Sequence, residues 1–205
     1  YKSLPTIART HGMHAEITSF GLKYARFYEE LKMDLARLEF ASKDLFVVKM
    51  SGAVGNFAMI DPRVHTLVAK QLGLGVPNIT TQVLSRDRHT AFLNTLALIA
   101  AHIENVSTEF RNLSRTEIGE VAEHFSSTQK GSSAMPHKHN PISFENMTGL
   151  SRLIRAYAIA SYDNIALYHE RDISHSSCER IVFADTLELS TYLIRRMFNT
   201  IDTLV

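Results

Sequence analysis

Apolar side chains recur along this chain at steps of three, four and seven, and the first clear run begins at Thr18. Phe20, Tyr24, Phe27, Leu31, Leu35, Leu38, Leu45 and Val48 share one stripe, with Lys23, Arg26, Glu30, Lys32 and Arg37 between them. This spacing returns to the same side of a 3.6-residue turn. It predicts an amphipathic helix of roughly thirty residues, about 45 Å long at the standard rise. Ser51-Gly52-Ala53-Val54-Gly55-Asn56 ends it. Asp61-Pro62 then offers a cap and a first-turn proline for a shorter helix to about Leu72, which Gly73 to Pro77 stop. A second long stripe, Phe92, Leu96, Ile99, Ile103, Val106, Phe110, Leu113 and Ile118, predicts a helix from Asp87 to about Phe125. Pro141 opens a third long helix to about Tyr162, and a fourth runs from Cys178 to the end. Residues 1–17 read as irregular, because Pro5, Gly12 and the polar run Arg9 to His14 break any period.

No alternating strand pattern of useful length stands out, so the expected fold is an all-α, long-helix bundle. The helices exceed the globular mean roughly two- to three-fold. Their stripes extend past what one compact bundle covers, which points to helices from several chains packed at shallow angles.

Composition narrows the class further. With 45% apolar and 21% charged residues among 205, the chain is ordinary globular protein, long enough for one large domain. A net charge of +1 without a Lys/Arg cluster gives no footprint for nucleic acid. Cys178 is the sole cysteine and has no internal disulfide partner, which suits a reducing compartment. There is no run of eighteen apolar residues and no leader pattern, so the expectation is a cytoplasmic protein without a membrane partner. The abrupt opening at Tyr1 and the close inside a helical pattern suggest part of a longer protein.

Residues with chemical potential gather in three breaks between helices. The first holds Thr10, His11 and His14. The second is Gly131-Ser132-Ser133-Ala134-Met135-Pro136-His137-Lys138-His139-Asn140-Pro141, with Glu145 just inside the next helix. Two prolines and a glycine make this stretch a loop. Lys138 can neutralise a developing anion, and the hydroxyls of Ser132 and Ser133 can donate or, deprotonated, accept. By composition alone it could equally be a plain connection. The third break, His169 to Ser177, places Arg171, Ser176, Ser177 and Arg180 around a helix entry, an anion site in outline. Asp172 and Glu179 would serve a plain helix cap with surface ion pairs equally well. The histidine pairs lack a His-Glu-x-x-His pattern or a cysteine pair, so no metal is expected. No Gly-x-Ser-x-Gly elbow supports a hydrolase.

Together these motifs resemble the fumarase/aspartase superfamily of β-elimination lyases. The loop at 131–141 looks like its signature. Met-Pro-His-Lys, Glu145-Asn146-Met147-Thr148-Gly149 and His169 to Ser177 resemble the adenylosuccinate lyases within it. So do Arg9-Thr10-His11-Gly12, Ser51 to Gly55 and Gln82 with Arg86-Asp87-Arg88-His89. The resemblance runs over residues 1–205 and implies the central helical domain of a homotetramer, with N- and C-terminal domains outside this chain. It implies elimination of fumarate from adenylosuccinate to give AMP, and from the succinyl-carboxamide ribonucleotide of purine synthesis, with no cofactor. By the same resemblance Ser132 is the general base, Lys138 and Asn140 hold the substrate carboxylates with Ser133 beside them, and His11 is the general acid oriented by Glu145. Thr10, Gln82 and Asn146 match substrate-contacting positions, and Arg171, Ser176 and Arg180 match a phosphate grip, with Ser177 adjacent. Each active site of the superfamily draws on three subunits. One position departs: His139 stands where arginine is usual. That is mild if the residue supports the loop, and a source of pH-sensitive binding if it supplies charge. Two other readings are a sister lyase acting on argininosuccinate, fumarate or aspartate, and a non-catalytic helical assembly fragment. The chain by itself is expected to oligomerise with little activity.

Overall fold

A computed structural model describes residues 1–125, 132, 134, 135 and 137–205. Among them lie five helices: α1 Phe20–Leu45, α2 Pro62–Leu72, α3 Asp87–Leu113, α4 Ile142–Tyr162 and α5 Ser174–Asp202. α3 is the axis. Phe92, Leu93, Leu96, Ala100, Ile103, Val106 and Phe110 are all buried, and α4, α1 and α5 pack round it. Phe110 meets Tyr24 and Phe27 of α1 and stacks on Phe144 of α4. At the other end of α3, the Thr90 hydroxyl donates to the Ser161 carbonyl at 3.0 Å, and Phe92 stacks on Phe183 of α5. So α1 and α4 run antiparallel to α3, whereas α5 runs parallel to it. The bundle therefore has two distinct ends, separated by the 27 residues of α3, or about 40 Å.

α2 is bounded as its sequence suggests. The Asp61 carboxylate accepts from the Arg63 amide at 2.8 Å, Pro62 sits in the first turn, and Gly73 closes the helix at φ +68°. Gly55, at φ +85°, packs so closely on the Thr80 carbonyl that an added Cβ would lie 1.9 Å from it. With the Ser51–Thr80 hydroxyl pair at 2.6 Å, this pins the strip that carries Gln82 into α3.

Three expectations need correction. Residues 1–17 are not irregular: β1 Pro5–Thr10 and β2 Met13–Ser19 form an antiparallel hairpin. Its turn is His11-Gly12, both with positive φ (55° and 76°), the mirror-image geometry that two-residue hairpin loops favour. No residue of the hairpin is fully buried and β1 is half-buried along most of its length, so burial imposes no alternation on its sequence. α3 stops at Leu113 rather than near Phe125. The Ser114 hydroxyl bonds back to the Phe110 carbonyl at 2.7 Å, and Gly119 turns the chain at φ +58°. Ile118 and Val121 still pack on the core, so the apolar spacing continues where the helix does not. α5 starts at Ser174, one turn before Cys178, because the Asp172 carboxylate accepts from the Ser174 amide at 2.9 Å.

Midway along the bundle, Asp34 is buried on α1 between Arg37, at 2.9 Å, and His102 of α3. Asp34→Ala is expected to destabilise the fold by about 2 kcal/mol. This is less than a fully buried pair gives, because both partners keep contact with water. A urea unfolding midpoint measures it.

Candidate active site

At the end where α3 finishes and α4 begins, Met135 and His137 to Pro141 of the second break line an open cleft of about 880 Å³. Lys138, Asn140 and Glu145 line it, opposite Arg111, Asn112 and Arg115. Ser132 is half-buried, outside the cleft wall; its Oγ accepts a hydrogen bond from the Ala134 amide at 3.3 Å. That N–H is positioned to stabilise negative charge on the oxygen. Ser133 lies outside the described residues. Thr10 and His11 sit exposed at the hairpin tip, and His11 and Glu145 are not bonded to each other. Asn146 accepts from the Tyr192 hydroxyl at 3.1 Å, and so faces α5.

The feet of this break are joined by residues that sequence patterning did not single out. The two carboxylate oxygens of Glu123 accept from the Ser143 and Phe144 amides, at 3.0 and 2.8 Å, satisfying the first free donors of α4. The ring of His139 lies parallel on Phe125, with centroids 4.0 Å apart. The imidazole thus makes an aromatic contact at the loop base, and His139 also lines the cleft.

The opposite end carries the other candidates. The Gln82 amide donates to the Glu170 carbonyl at 3.2 Å, which joins the lead-in of α3 to the third break. Arg171 Nη1 lies 3.1 Å from His175 Nε2, and Arg86 pairs with Glu179 at 2.6 Å. Glu179 is therefore already spent on Arg86, and Asp172 on the first turn of α5. Neither Arg171 nor Arg180 has a carboxylate partner among the described residues. Ser176 is half-buried in the first turn, whereas the Ser177 hydroxyl donates to the Ser174 carbonyl at 2.9 Å and serves the helix.

Burial lowers the His175 pKa, with Arg86 adding to the effect and Glu179 opposing it; burial likewise lowers that of His89, again with Arg86. Both rings favour the neutral form in the fold, whereas in the unfolded chain they protonate near 6.5. The unfolded chain binds more protons below that pH. The stabilisation is complete above the unfolded value and fades as pH falls toward the lowered folded values. Melting temperature is expected to drop by a few degrees between neutrality and about pH 5, as calorimetry would register.

The candidates thus form two clusters. Thr10, His11, Ser132, Lys138, Asn140, Glu145 and Asn146 belong to one end, and Gln82, Arg171, Ser176, Ser177 and Arg180 to the other. At about 40 Å, a single chain does not unite them. Among the described residues, no cluster of His, Cys, Asp or Glu is arranged to hold a metal, and no helix is long and apolar enough to cross a membrane.

Residues 1–155 match a family model described as lyase. The adenylosuccinate lyase of Thermotoga maritima is 53% identical over 201 residues, which cover 98% of this chain and 47% of that protein. Among solved structures, a fumarate lyase from Mesorhizobium sp. BNC1 superposes with a TM-score of 0.85 at 28% identity. The 3-carboxy-cis,cis-muconate lactonizing enzyme of Pseudomonas putida superposes with a TM-score of 0.86 at 25% identity. Each superposition covers 98% of this chain and 44% of the other. The chain spans about half the length of the relatives it matches.

Proposed function

Because the chain belongs to this lyase family, we propose that it is the central helical domain of an enzyme that eliminates fumarate from adenylosuccinate, leaving AMP. The succinyl-carboxamide ribonucleotide of purine synthesis offers the same leaving geometry and is the second substrate. The observation that carries this reading is the pair of guanidinium groups, Arg171 and Arg180, left without carboxylates beside the first turn of α5. They suit a dianionic phosphate. A sister lyase whose substrate lacks phosphate would have no use for them.

The chemistry takes place at the other end. Ser132, as its alkoxide, removes the proton from the carbon next to a carboxylate, and the Ala134 amide and Lys138 lower the cost of that charge. Lys138 and Asn140 hold the dianionic carboxylate that forms. The electron pair of the C–N bond then leaves with the purine nitrogen. His11 supplies the proton that nitrogen takes up, and Glu145 holds the acid in its donating tautomer. One proton is removed, one is delivered, and no electrons are exchanged with a cofactor.

Both clusters reach one substrate when several copies assemble, as a homotetramer with shared sites. The outward surfaces of the helices support this: Tyr28, Met33, Leu35 and Phe40 of α1, Ile159 of α4 and Ile181, Ile194 and Phe198 of α5 are all exposed. Such stripes are the raw material of a larger helical bundle. The direct test follows fumarate release from adenylosuccinate by the complete protein. Turnover supports the reading; inactivity on it, with turnover of a succinyl amine lacking phosphate, would transfer the chain to a sister lyase.

A further inference from the structure

The phosphate end holds a buried histidine that the proposed reaction does not use. His175 is 1% exposed on the first turn of α5. Its Nε2 lies 3.1 Å from Arg171 Nη1. An arginine side chain has donors only, so the imidazole nitrogen facing it must be the acceptor. That leaves the ring proton on Nδ1, which faces the Glu179 carboxylate at 3.7 Å. Glu179 is fixed in turn by Arg86, from the lead-in of α3, at 2.6 Å. At that distance Nδ1 donates no hydrogen bond, so Glu179 acts on the ring as a nearby charge on one side while Arg171 is bonded on the other. We propose that His175 is a positioning residue: as the Nδ1–H tautomer it accepts from Arg171 and aims that guanidinium at the substrate phosphate.

This rests on the phosphate-binding reading above and adds to it a residue that touches no substrate. The surroundings agree. Burial and the charge of Arg86 hold the ring neutral against the pull of Glu179; Arg171 adds to the first effect and Asp172 to the second. His89, on α3, shares Arg86 and Glu179 as its charged neighbours. A proton arriving at Nε2 would replace an acceptor with a cation facing a cation, and Arg171 would lose its rest.

The test uses the complete protein, adenylosuccinate turnover and calorimetric binding of AMP at pH 8, where the ligand phosphate is fully ionised. His175→Leu removes the acceptor, and His175→Gln restores one. The Leu variant is expected to weaken AMP binding and raise KM about tenfold, with kcat kept within about twofold and the Gln variant close to wild type. Unchanged AMP affinity in the Leu variant overturns the proposal, as does a fall in kcat at constant KM. If the Leu variant does not fold, pH profiles of the wild type and the Gln variant decide. Phosphate titration is common to both, so a steeper rise of KM below about pH 6.5 in the wild type alone belongs to His175, and coincident profiles reject it. AMP binding without turnover of adenylosuccinate sinks the proposed reaction and leaves the His175 comparison intact.

Discussion

Ser132→Ala is expected to lower kcat for fumarate release by roughly three orders of magnitude, with KM within a few-fold of wild type. The substitution removes one oxygen from a half-buried position and leaves the Ala134 amide without its acceptor, a small change to the fold. Its cost therefore falls on the step that needs a base. Ground-state binding stays with Lys138 and Asn140 in the cleft and with Arg171 and Arg180 at the far end. A steady-state assay of fumarate release would separate kcat from KM. Turnover surviving undiminished would remove Ser132 from the role of base.

An equal mixture of Ser132→Ala and Arg171→Ala chains is expected to recover about a quarter of wild-type activity after unfolding and co-assembly, when assayed at substrate well below the KM of Arg171→Ala so that each variant alone turns over slowly. The reasoning is geometric. One chain holds its two clusters about 40 Å apart, so a working site takes its loop from one copy and its guanidinium from another. In a random assembly half of the loops and half of the guanidinium groups are intact, and the two choices are independent. Activity equal only to the sum of the two variants would mean that each site is built within a single chain. Native mass spectrometry with one variant isotopically labelled reports whether mixed assemblies formed.

The helices were legible because a long buried stripe leaves its period in the sequence. α2 was legible to the residue, since Asp61, Pro62 and Gly73 each have one favoured place at a helix end. The end of α3 was not, because Ile118 and Val121 obey the spacing of a helix while lying in a turn and an extended strip that pack on the same core. The hairpin left only its His11-Gly12 turn as a sign, since strands without a fully buried residue carry no burial pattern. The start of α5 was not legible either, because His175 is polar by type yet buried. The site residues could be named from motifs, but motifs carry no coordinates. Their division between two ends follows from α3 and α4 running antiparallel. The pairing of Arg86 with Glu179, 93 positions apart, has no local signal.

The polar contacts between the long helices have a further meaning. An apolar seam repeats itself every turn, so two helices joined only by such a seam could slip by about 5.4 Å at little cost. Asp34 with His102, Lys23 with Glu109 at 2.6 Å, and Thr90 with Ser161 each allow one register and oppose the next. They work as graduations on a ruler. In the proposed assembly each chain spans the interval between two half-sites, and every half-site meets one carried by another copy. An error of one turn in any chain would misplace a phosphate grip by more than the length of a hydrogen bond. In these terms the buried carboxylate at Asp34 calibrates the bundle: it keeps the interval between loop and guanidinium the same in every copy.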